Sequence, residues 1–271
     1  MTEAVTETMT ESIPLLELRE IAFQRGNTPV FSNVNLSLMA GDRLALVGGN
    51  GTGKSTLLEL IVGLHRPSAG SLHAFGEHRV NEAGFRSLRA RVGLLFQDSD
   101  DQLFCPTVIE DVAFGPLNLG HPDADARQIA LDTLASLGLD AYAERVTHRL
   151  SGGEKRLVAL ATVLAMSPEI LLLDEPTNGL DQEAEQRLIA HLQALPQTMI
   201  LVTHDRRLIE QLANRAALMQ EGTLVDAVIH SHPHQHTHAH VHIHPRGEHS
   251  HRSHSDPVPP HSDHHLNDSE A

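Results

Sequence analysis

Residues 43–56 read RLALVGGNGTGKST, and this stretch decides the fold. The apolar run Arg43–Val47 predicts a buried strand. The residues after it contain the pattern G-x-x-x-x-G-K-S, which is typical of a loop that binds phosphate groups. Apolar residues then recur at helical spacing, at Leu57, Leu58, Leu60, Ile61 and Leu64. A strand, a glycine-rich turn and a helix therefore follow one another, as a phosphate-binding loop requires.

Each part of this loop suits phosphate binding. Glycines let backbone N–H groups curl around phosphate oxygens, and the helix that follows presents its positive N-terminus to them. Lys54 is predicted to reach the outer phosphates and Ser55 to bind Mg²⁺. The residues predicted to hold the nucleotide here are Gly48, Gly49, Asn50, Gly51, Thr52, Gly53, Lys54, Ser55 and Thr56.

A second predicted strand ends in two carboxylates. Residues 169–175 read EILLLDE, so Asp174 is placed to hold the shell of Mg²⁺ and Glu175 to polarise a water molecule. On its own, such an acidic pair is equally consistent with a solvated strand end. The neighbouring stretches decide between these readings, because LSGGE at 150–154 precedes the pair and PTNGLD at 176–181 follows it.

With LSGGE, LLLDEPTNGLD (171–181) and ILVTHD (200–205) in this order behind the phosphate loop, the chain resembles the ABC transporter ATPase family over residues 13–226. The resemblance implies an ATPase that uses ATP and Mg²⁺. It implies Mg²⁺ ligands at Ser55, Gln97 and Asp174, and catalytic roles for Glu175 and His204.

The same resemblance implies roles at the boundary between subunits. Ser151, Gly152 and Gly153 resemble the signature that closes over the ATP of a partner subunit. Gln97 resembles the lid-loop glutamine, Asp181 the aspartate of the inter-subunit loop, and His204 the switch histidine that contacts the γ-phosphate. The chain is therefore expected to work as a dimer, with a homodimer as the expected form and a heterodimer left open.

Local patterns support two of these roles independently. Ser151 and Glu154 have the spacing of a capping box, and a helical apolar pattern follows, which places SGG at a helix N-terminus that favours anions. That pattern is formed by Leu157, Val158, Leu160, Ala161 and Leu164. His204 follows the apolar run Met199–Val202, which predicts a strand.

The alternation of strand-like and helical segments predicts an α/β fold with a parallel-rich sheet from residue 13 to about 226. A helical subdomain is expected at about 97–159. Residues 1–12 and the histidine-rich tail 227–271 are expected to be disordered, because they cannot bury a core. The only cysteine, Cys105, rules out an internal disulfide, and the formal charge of −15 argues against a nucleic-acid partner.

Residues 92–120, VGLLFQDSDDQLFCPTVIEDVAFGPLNLG, resemble the energy-coupling-factor group of this family and especially its cobalt and nickel branch. In that group the region shapes a groove for coupling helices of the transmembrane partner subunits. The apolar candidates are Leu103, Phe104, Val108, Val112 and Phe114. They are equally consistent with the core of a helical subdomain, and the sequence leaves both readings open.

The tail suggests a transition-metal site. Every second residue from His230 to His244 is histidine, and residues i and i+2 of an extended chain lie on one side about 6.6–6.8 Å apart. Imidazole suits nickel and cobalt, and also zinc. The predicted ligands are His230, His232, His234, His236, His238, His240, His242 and His244. Storage, buffering, sensing and delivery of metal remain open as roles.

The function expected from these patterns is an ATP-hydrolysing subunit that energises nickel or cobalt uptake, held at the cytoplasmic face of the inner membrane by transmembrane partners. Import of another metal or of a vitamin by the same group is the first alternative. A nickel metallochaperone NTPase is a weaker alternative, because Lys54 and Lys155, the two lysines, do not form the Asn-Lys-x-Asp motif of the nickel-insertion GTPases. A soluble ABC ATPase lacks support, since neither a coiled coil nor a second cassette is present.

The sequence offers two candidates for the residue that stacks on adenine. The family stacks the base on an aromatic residue at a position that falls near Arg25, where this chain has a guanidinium that is itself able to stack. Phe23 lies two residues earlier and is either the stacking residue or a core residue of a strand.

Overall fold

A computed structural model describes residues 13–233 and 239–245. Their strands are β1 (Leu16–Arg25), β2 (Thr28–Leu38), β3 (Arg43–Val47), β4 (Ala69–Ala74), β5 (Glu77–His78), β6 (Val92–Leu95), β7 (Ile170–Asp174), β8 (Thr198–Val202), β9 (Arg215–Gln220), β10 (Thr223–Pro233) and β11 (Ala239–Pro245). The helices are α1 (Lys54–Ile61), α2 (Glu82–Arg89), α3 (Val108–Asn118), α4 (Asp123–Ser136), α5 (Gly152–Leu164), α6 (Gln182–Ala194) and α7 (Arg206–Leu212).

The strands form a mixed sheet in the order β5-β4-β1-β2-β10-β9-β3-β8-β7-β6, with β11 paired to β10. Strands β6, β7, β8, β3 and β9 are mutually parallel, which confirms the predicted parallel-rich core. Strands β1, β2, β4 and β5 pair antiparallel and extend the sheet on the other side.

The parallel part is buried on both faces. In β7, Leu172 packs into a cluster with α1 and the antiparallel strands, whereas Leu171 and Leu173 pack into a second cluster with the helices that follow β6. A near-continuous apolar run such as ILLLD is typical of a parallel strand that is covered on two sides. The predicted strand at Arg43–Val47 is confirmed with the same bounds.

The register brings the carboxyl ends of four parallel strands into line. The Cα partners are Leu46 with Val202, Asp174 with Val202, and Leu95 with Leu173. Ligands of α/β sheets bind at this edge, because the loops after neighbouring strands meet there. The segments that begin at Gly48, Phe96, Glu175 and Thr203 therefore converge on one side of the sheet.

Helices α3, α4 and α5 lie between β6 and β7 in the chain, where the helical subdomain was expected. Helix α5 runs past the predicted boundary at Ala159 to Leu164 and packs against β6. Among the five groove candidates, Leu103, Val108 and Val112 are buried in the helical core. Phe104 and Phe114 are exposed, so the groove for transmembrane partners stays a prediction for these two residues.

Two expectations differ from the structure. Leu64 was placed on the helix after the phosphate loop, but α1 ends at Ile61 and Leu64 lies beyond it, exposed. Disorder was expected from residue 227, but β10 continues to Pro233 and pairs with β11. The alternation that separates the histidines also places apolar residues at Ile229 and Ile243, which suits paired strands. Residues 1–12, 234–238 and 246–271 of the predicted terminal segments lie outside the described residues.

Candidate nucleotide-binding and hydrolysis site

The loop after β3 requires glycine at two positions. Gly48 has φ +150°, and a Cβ there would lie 2.5 Å from the carbonyl oxygen of Met219. Gly53 has φ +100°, and a Cβ there would lie 2.7 Å from Val30 Cγ1. Only glycine lets the backbone pass this close to its neighbours and turn into α1. The local sequence therefore determines the shape of the loop.

A cavity of about 680 Å³ opens over this loop and has the size of a small-molecule site. It is lined by Arg25, Thr28, Pro29, Val30, Asn50, Gly51, Gly53, Lys54, Ser55, Thr56, Gln97 and Glu175. Lys54 Nζ donates to the carbonyl oxygens of Gly48 (3.0 Å) and Gly49 (2.8 Å), which holds the ammonium over the loop. A positive loop at the N-terminus of a helix is a site for phosphate groups.

The three predicted Mg²⁺ ligands meet in an adjoining cavity of about 390 Å³, which is lined by Ser55, Gln97 and Asp174 among others. Asp174 Oδ1 is buried and accepts no hydrogen bond from the described residues. Burial raises the pKa of the Asp174 carboxyl, against the lowering effect of a hydrogen bond from Ser55. A buried carboxylate oxygen without a partner, beside a hydroxyl and an amide, fits a hard cation that takes oxygen ligands.

Glu175 and His204 form a pair at the edge of the first cavity. His204 Nδ1 lies 3.0 Å from Glu175 Oε1, and the backbone N–H of Glu175 donates to the carbonyl oxygen of Val202 at 2.9 Å. Glu175 has φ +42°, a left-handed conformation that costs a residue other than glycine roughly 1–3 kcal/mol. The carboxylate is mostly buried, whereas the imidazole is 83% exposed. This geometry suits a carboxylate that orients water, with its position set by an exposed imidazole.

Arg156, which is not among the residues predicted from the sequence, supports this edge of the cavity. Its guanidinium is buried and donates to the carbonyl oxygens of Asp174 (2.7 Å), Glu175 (2.8 Å) and Pro176 (2.8 Å). It also donates to the carbonyl oxygens of Phe96 and Gln97. Burial lowers the pKa of Arg156 to about 10, so it stays charged at neutral pH.

A sequence signal for Arg156 did exist. It lies four residues before Leu160 and seven before Val163, both buried, so it is a charged residue on the buried face of a helix. Such a residue needs partners, and here they are backbone carbonyls of the two segments that carry Gln97 and Glu175.

The structure does not bring the signature residues to the phosphate loop of their own chain. Ser151, Gly152 and Gly153 are not among the residues that line the first cavity. The predicted capping box is confirmed, since Ser151 Oγ accepts from the N–H of Glu154 at 3.3 Å and the Ser151 N–H donates to Glu154 Oε2 at 2.7 Å. Ser151 and Gly152 are exposed at the start of α5. Asp181 caps α6 by accepting from the N–H of Ala184 at 2.8 Å and lies outside the same cavity.

The two candidates for adenine contact, Phe23 and Arg25, lie in different environments. Phe23 is buried, with ring centroids 5.8 Å from Phe31 and 5.1 Å from His65, so it is a core residue. Arg25 lines the cavity instead. A planar guanidinium is able to stack on a base at that position.

These features define a P-loop ATPase. A family model described as ABC transporter matches residues 31–178, more than half of the 271 residues. The chain belongs to the ABC transporter ATPase family, and it is an ATP-binding, ATP-hydrolysing subunit of such a transporter. This confirms the resemblance read from the motifs.

Three curated relatives are similar to this chain along most of its length. A Brucella suis biovar 1 protein, described as an ABC transporter ATP-binding protein without a substrate, is 52% identical over 81% of this chain and 91% of its own. The nickel import ATP-binding protein NikO of Rhodobacter capsulatus is 41% identical over 79% of this chain and 89% of its own. The energy-coupling factor transporter ATP-binding protein EcfA of Methanothermobacter thermautotrophicus is 41% identical over 78% and 70%.

Two solved structures share the fold. The structure of cbiO1 from Clostridium perfringens, described as part of the ABC transporter complex cbiONQ, has a TM-score of 0.70 and 33% identity, covering 79% of this chain and 87% of that one. The ATP-binding cassette MJ0796, a dimer in a post-hydrolysis state with ADP and Pi, has a TM-score of 0.70 and 25% identity, covering 77% and 96%. Among the described residues of the present chain, none of the helices has the length and apolar character needed to cross a bilayer.

The first prediction concerns Glu175. Glu175→Gln keeps the shape of the side chain and an oxygen that faces His204 but removes the base, so the ATPase rate should fall by about 10² or more. Nucleotide affinity should be unchanged, because the phosphate loop is untouched. Steady-state phosphate release and nucleotide titration measure the two quantities. Hydrolysis near the parent rate would remove Glu175 from the chemistry.

The second prediction concerns Arg156. Arg156→Lys keeps the charge but leaves three donors where five carbonyl contacts exist. The free energy of unfolding should fall by about 2–4 kcal/mol, because each buried carbonyl without a donor costs about 1–3 kcal/mol. The ATPase rate should fall by about tenfold, since the loops that hold Gln97 and Glu175 lose their alignment.

Denaturant unfolding and phosphate release test this prediction. The control is Arg127→Lys, which changes an exposed guanidinium paired with Glu144 and should leave both quantities unchanged. Equal stability and rate in the parent and Arg156→Lys would show that the carbonyl contacts do not position the loops.

Proposed function

We propose that this chain is one half of an ATPase dimer that energises nickel or cobalt import through transmembrane partner subunits. The observation that carries the proposal is the match with the nickel import protein NikO along most of both chains. The similarity to cbiO1 points in the same direction. The histidine-rich segment from His230 supplies ligands of the right chemistry for these ions. The proposed location is the cytoplasmic face of the inner membrane.

The proposed catalytic cycle follows from a divided site. Backbone N–H groups of residues 48–53 and the ammonium of Lys54 hold the phosphates of ATP. Ser55, Gln97 and Asp174 hold Mg²⁺, which neutralises charge on the phosphates when bound. Glu175 orients the attacking water, and His204 holds the carboxylate and contacts the γ-phosphate.

A second subunit completes the site. Ser151 and Gly152 are exposed, and none of Ser151, Gly152 and Gly153 lines the cavity over its own phosphate loop. The proposed dimer therefore presents these three residues to the ATP of the partner. The exposed start of α5 favours the anion through its N-terminal N–H groups. Asp181, at the exposed start of α6, is the proposed inter-subunit contact. The MJ0796 structure, which is a dimer, supports this arrangement.

The proposed docking surface for transmembrane subunits is an apolar groove of about 510 Å³ beside the helical part. Phe104 and Phe114 stand exposed in it, with ring centroids 4.8 Å apart in an edge-to-face contact. The groove also contains Phe96, whose carbonyl oxygen accepts from Arg156. A coupling helix in this groove would therefore press on the segment that carries Gln97. Exposed apolar side chains collected in one groove mark a protein interaction site.

The third prediction tests the divided site. In the Glu175→Gln background, which should accumulate an ATP-bound dimer, adding Ser151→Arg should abolish the dimer because bulk and charge enter the interface. ATP binding to the monomer should persist, since Ser151 does not line the cavity that contains Lys54. Light scattering with and without ATP reads the dimer. Ser136→Arg, at an exposed serine ending α4, should leave it intact, whereas a dimer that survives Ser151→Arg would refute the signature assignment.

The fourth prediction tests the substrate. The chain, purified with its transmembrane subunits and placed in vesicles, should drive ATP-dependent accumulation of Ni²⁺ or Co²⁺, and Glu175→Gln should abolish it. Vitamin accumulation without metal accumulation would favour the alternative within the same group.

A variant with serine at the eight histidine positions from His230 to His244 distinguishes the possible roles of the tail in the same vesicles. Delivery predicts slower uptake at limiting metal, whereas storage predicts an unchanged rate.

A further inference from the structure

The pairing of β10 with β11 sorts the residues of the histidine-rich segment. The antiparallel register makes Cα partners of His230 and His242, of His232 and His240, and of Val228 and His244. Residues directly opposite each other share a face, and the face alternates along each strand. The positions on one face of this ribbon are Val228, His230, His232, His240, His242 and His244.

The other face attaches the ribbon to the domain. Its positions include Ala227 and Ile229, which pack against the small cluster of Ala45, Ile209 and Ala216. Ile209 belongs to α7, and this helix begins two residues after His204. The histidine positions therefore lie on the face opposite the one that contacts the domain, and that contact includes the helix that begins two residues after His204.

The pairing of β10 with β11 brings more histidine positions close together than the alternation along one strand does. Opposed residues of an antiparallel pair have Cα atoms about 4.5–5.5 Å apart, and neighbours on one face of a strand are about 6.6–6.8 Å apart. The pairs His230/His242 and His232/His240 thus place four histidine positions at the corners of a compact rectangle. Four imidazoles are a complete ligand set for a divalent ion of the nickel, cobalt or zinc type.

We propose that β10 and β11 form a metal clasp, in which His230, His232, His240 and His242 bind one divalent transition-metal ion across the two strands. The ion joins the strands, and the apolar face then holds the clasp against α7. Bound metal thereby stabilises the helix next to His204, so the ATPase domain carries a physical link to metal supply. The clasp rests on the metal binding proposed for the tail and assigns its ligands by strand register.

A register swap tests the clasp. The variant H240V, V241H, H242I, I243H keeps the composition of β11 and the i, i+2 spacing of the pair His240 and His242, but moves this pair to the face opposite His230 and His232. The matched control is V241I, I243V, which exchanges the same apolar residues in place. Parent, swap and control are full-length and carry serine at His244, which would otherwise stay on the face of His230 and His232, and at the six later histidines, His249, His251, His254, His261, His264 and His265.

Calorimetric titration with NiCl₂ reads the first bound equivalent. The swap should bind Ni²⁺ at least about tenfold more weakly than the parent, because cross-strand pairing supplies the effective concentration of the second pair. The control should match the parent. Equal affinity in swap and parent would overturn the clasp while leaving metal binding by the tail in place. A parent that does not bind Ni²⁺ would overturn both, which separates the two failures.

Hydrogen exchange tests the attachment to α7. One equivalent of Ni²⁺ should slow amide exchange in residues 227–233, 239–245 and 206–212 of the parent, and should not do so in the swap. Protection of the strands without any change in residues 206–212 would overturn the link to the ATPase domain.

Discussion

The buried guanidinium of Arg156 is the interaction on which the site depends. It is a charge inside the protein that has no carboxylate hydrogen-bond partner among the described residues and is satisfied by five backbone carbonyl contacts from two loops. Burying a charge is costly unless donors and acceptors are matched, so the two loops are held at positions where all these carbonyls converge. One of them carries Gln97, and the other carries Asp174 and Glu175. The left-handed backbone of Glu175 persists because its own carbonyl is one of the acceptors.

Arg156 also connects Glu175 with two distant surfaces, the exposed start of α5 and the apolar groove. It lies on α5, whose N-terminus exposes Ser151 toward a partner subunit in the proposed dimer. The carbonyl of Phe96 accepts from the guanidinium, while Phe96 lines the apolar groove. Tightly packed interiors transmit small displacements because they cannot deform freely. In the proposed mechanism, a displacement of α5 or of Phe96 reaches the backbone of Glu175 through the hydrogen bonds of Arg156.

Local patterns predicted much of this chain, because the phosphate loop, the strand Arg43–Val47 and the capping box at Ser151 each depend on residues close in sequence. Features that depend on tertiary contacts were harder. Leu64 kept the helical spacing, but the helix ended before it. Phe104 and Phe114 have the same apolar character as Val108, and only packing separates the exposed pair from the buried residue. Arg156 interrupts an apolar helix face, yet its acceptors are backbone atoms, and a sequence pattern does not show those.

In the histidine-rich segment, too, the local pattern did not predict a feature that depends on contacts between distant residues. A period of two places alternate residues on one side of any extended chain, so it identifies a row of histidines without specifying a second strand. The second strand depends on the intervening residues, since Ile229 and Ile243 are opposed while Ile229 packs against the cluster that contains Ile209. A slip of one residue would move the histidines of β11 to the other face and lose the apolar match. The apolar residues between the histidines thus carry the register, and the register decides which imidazoles share a face.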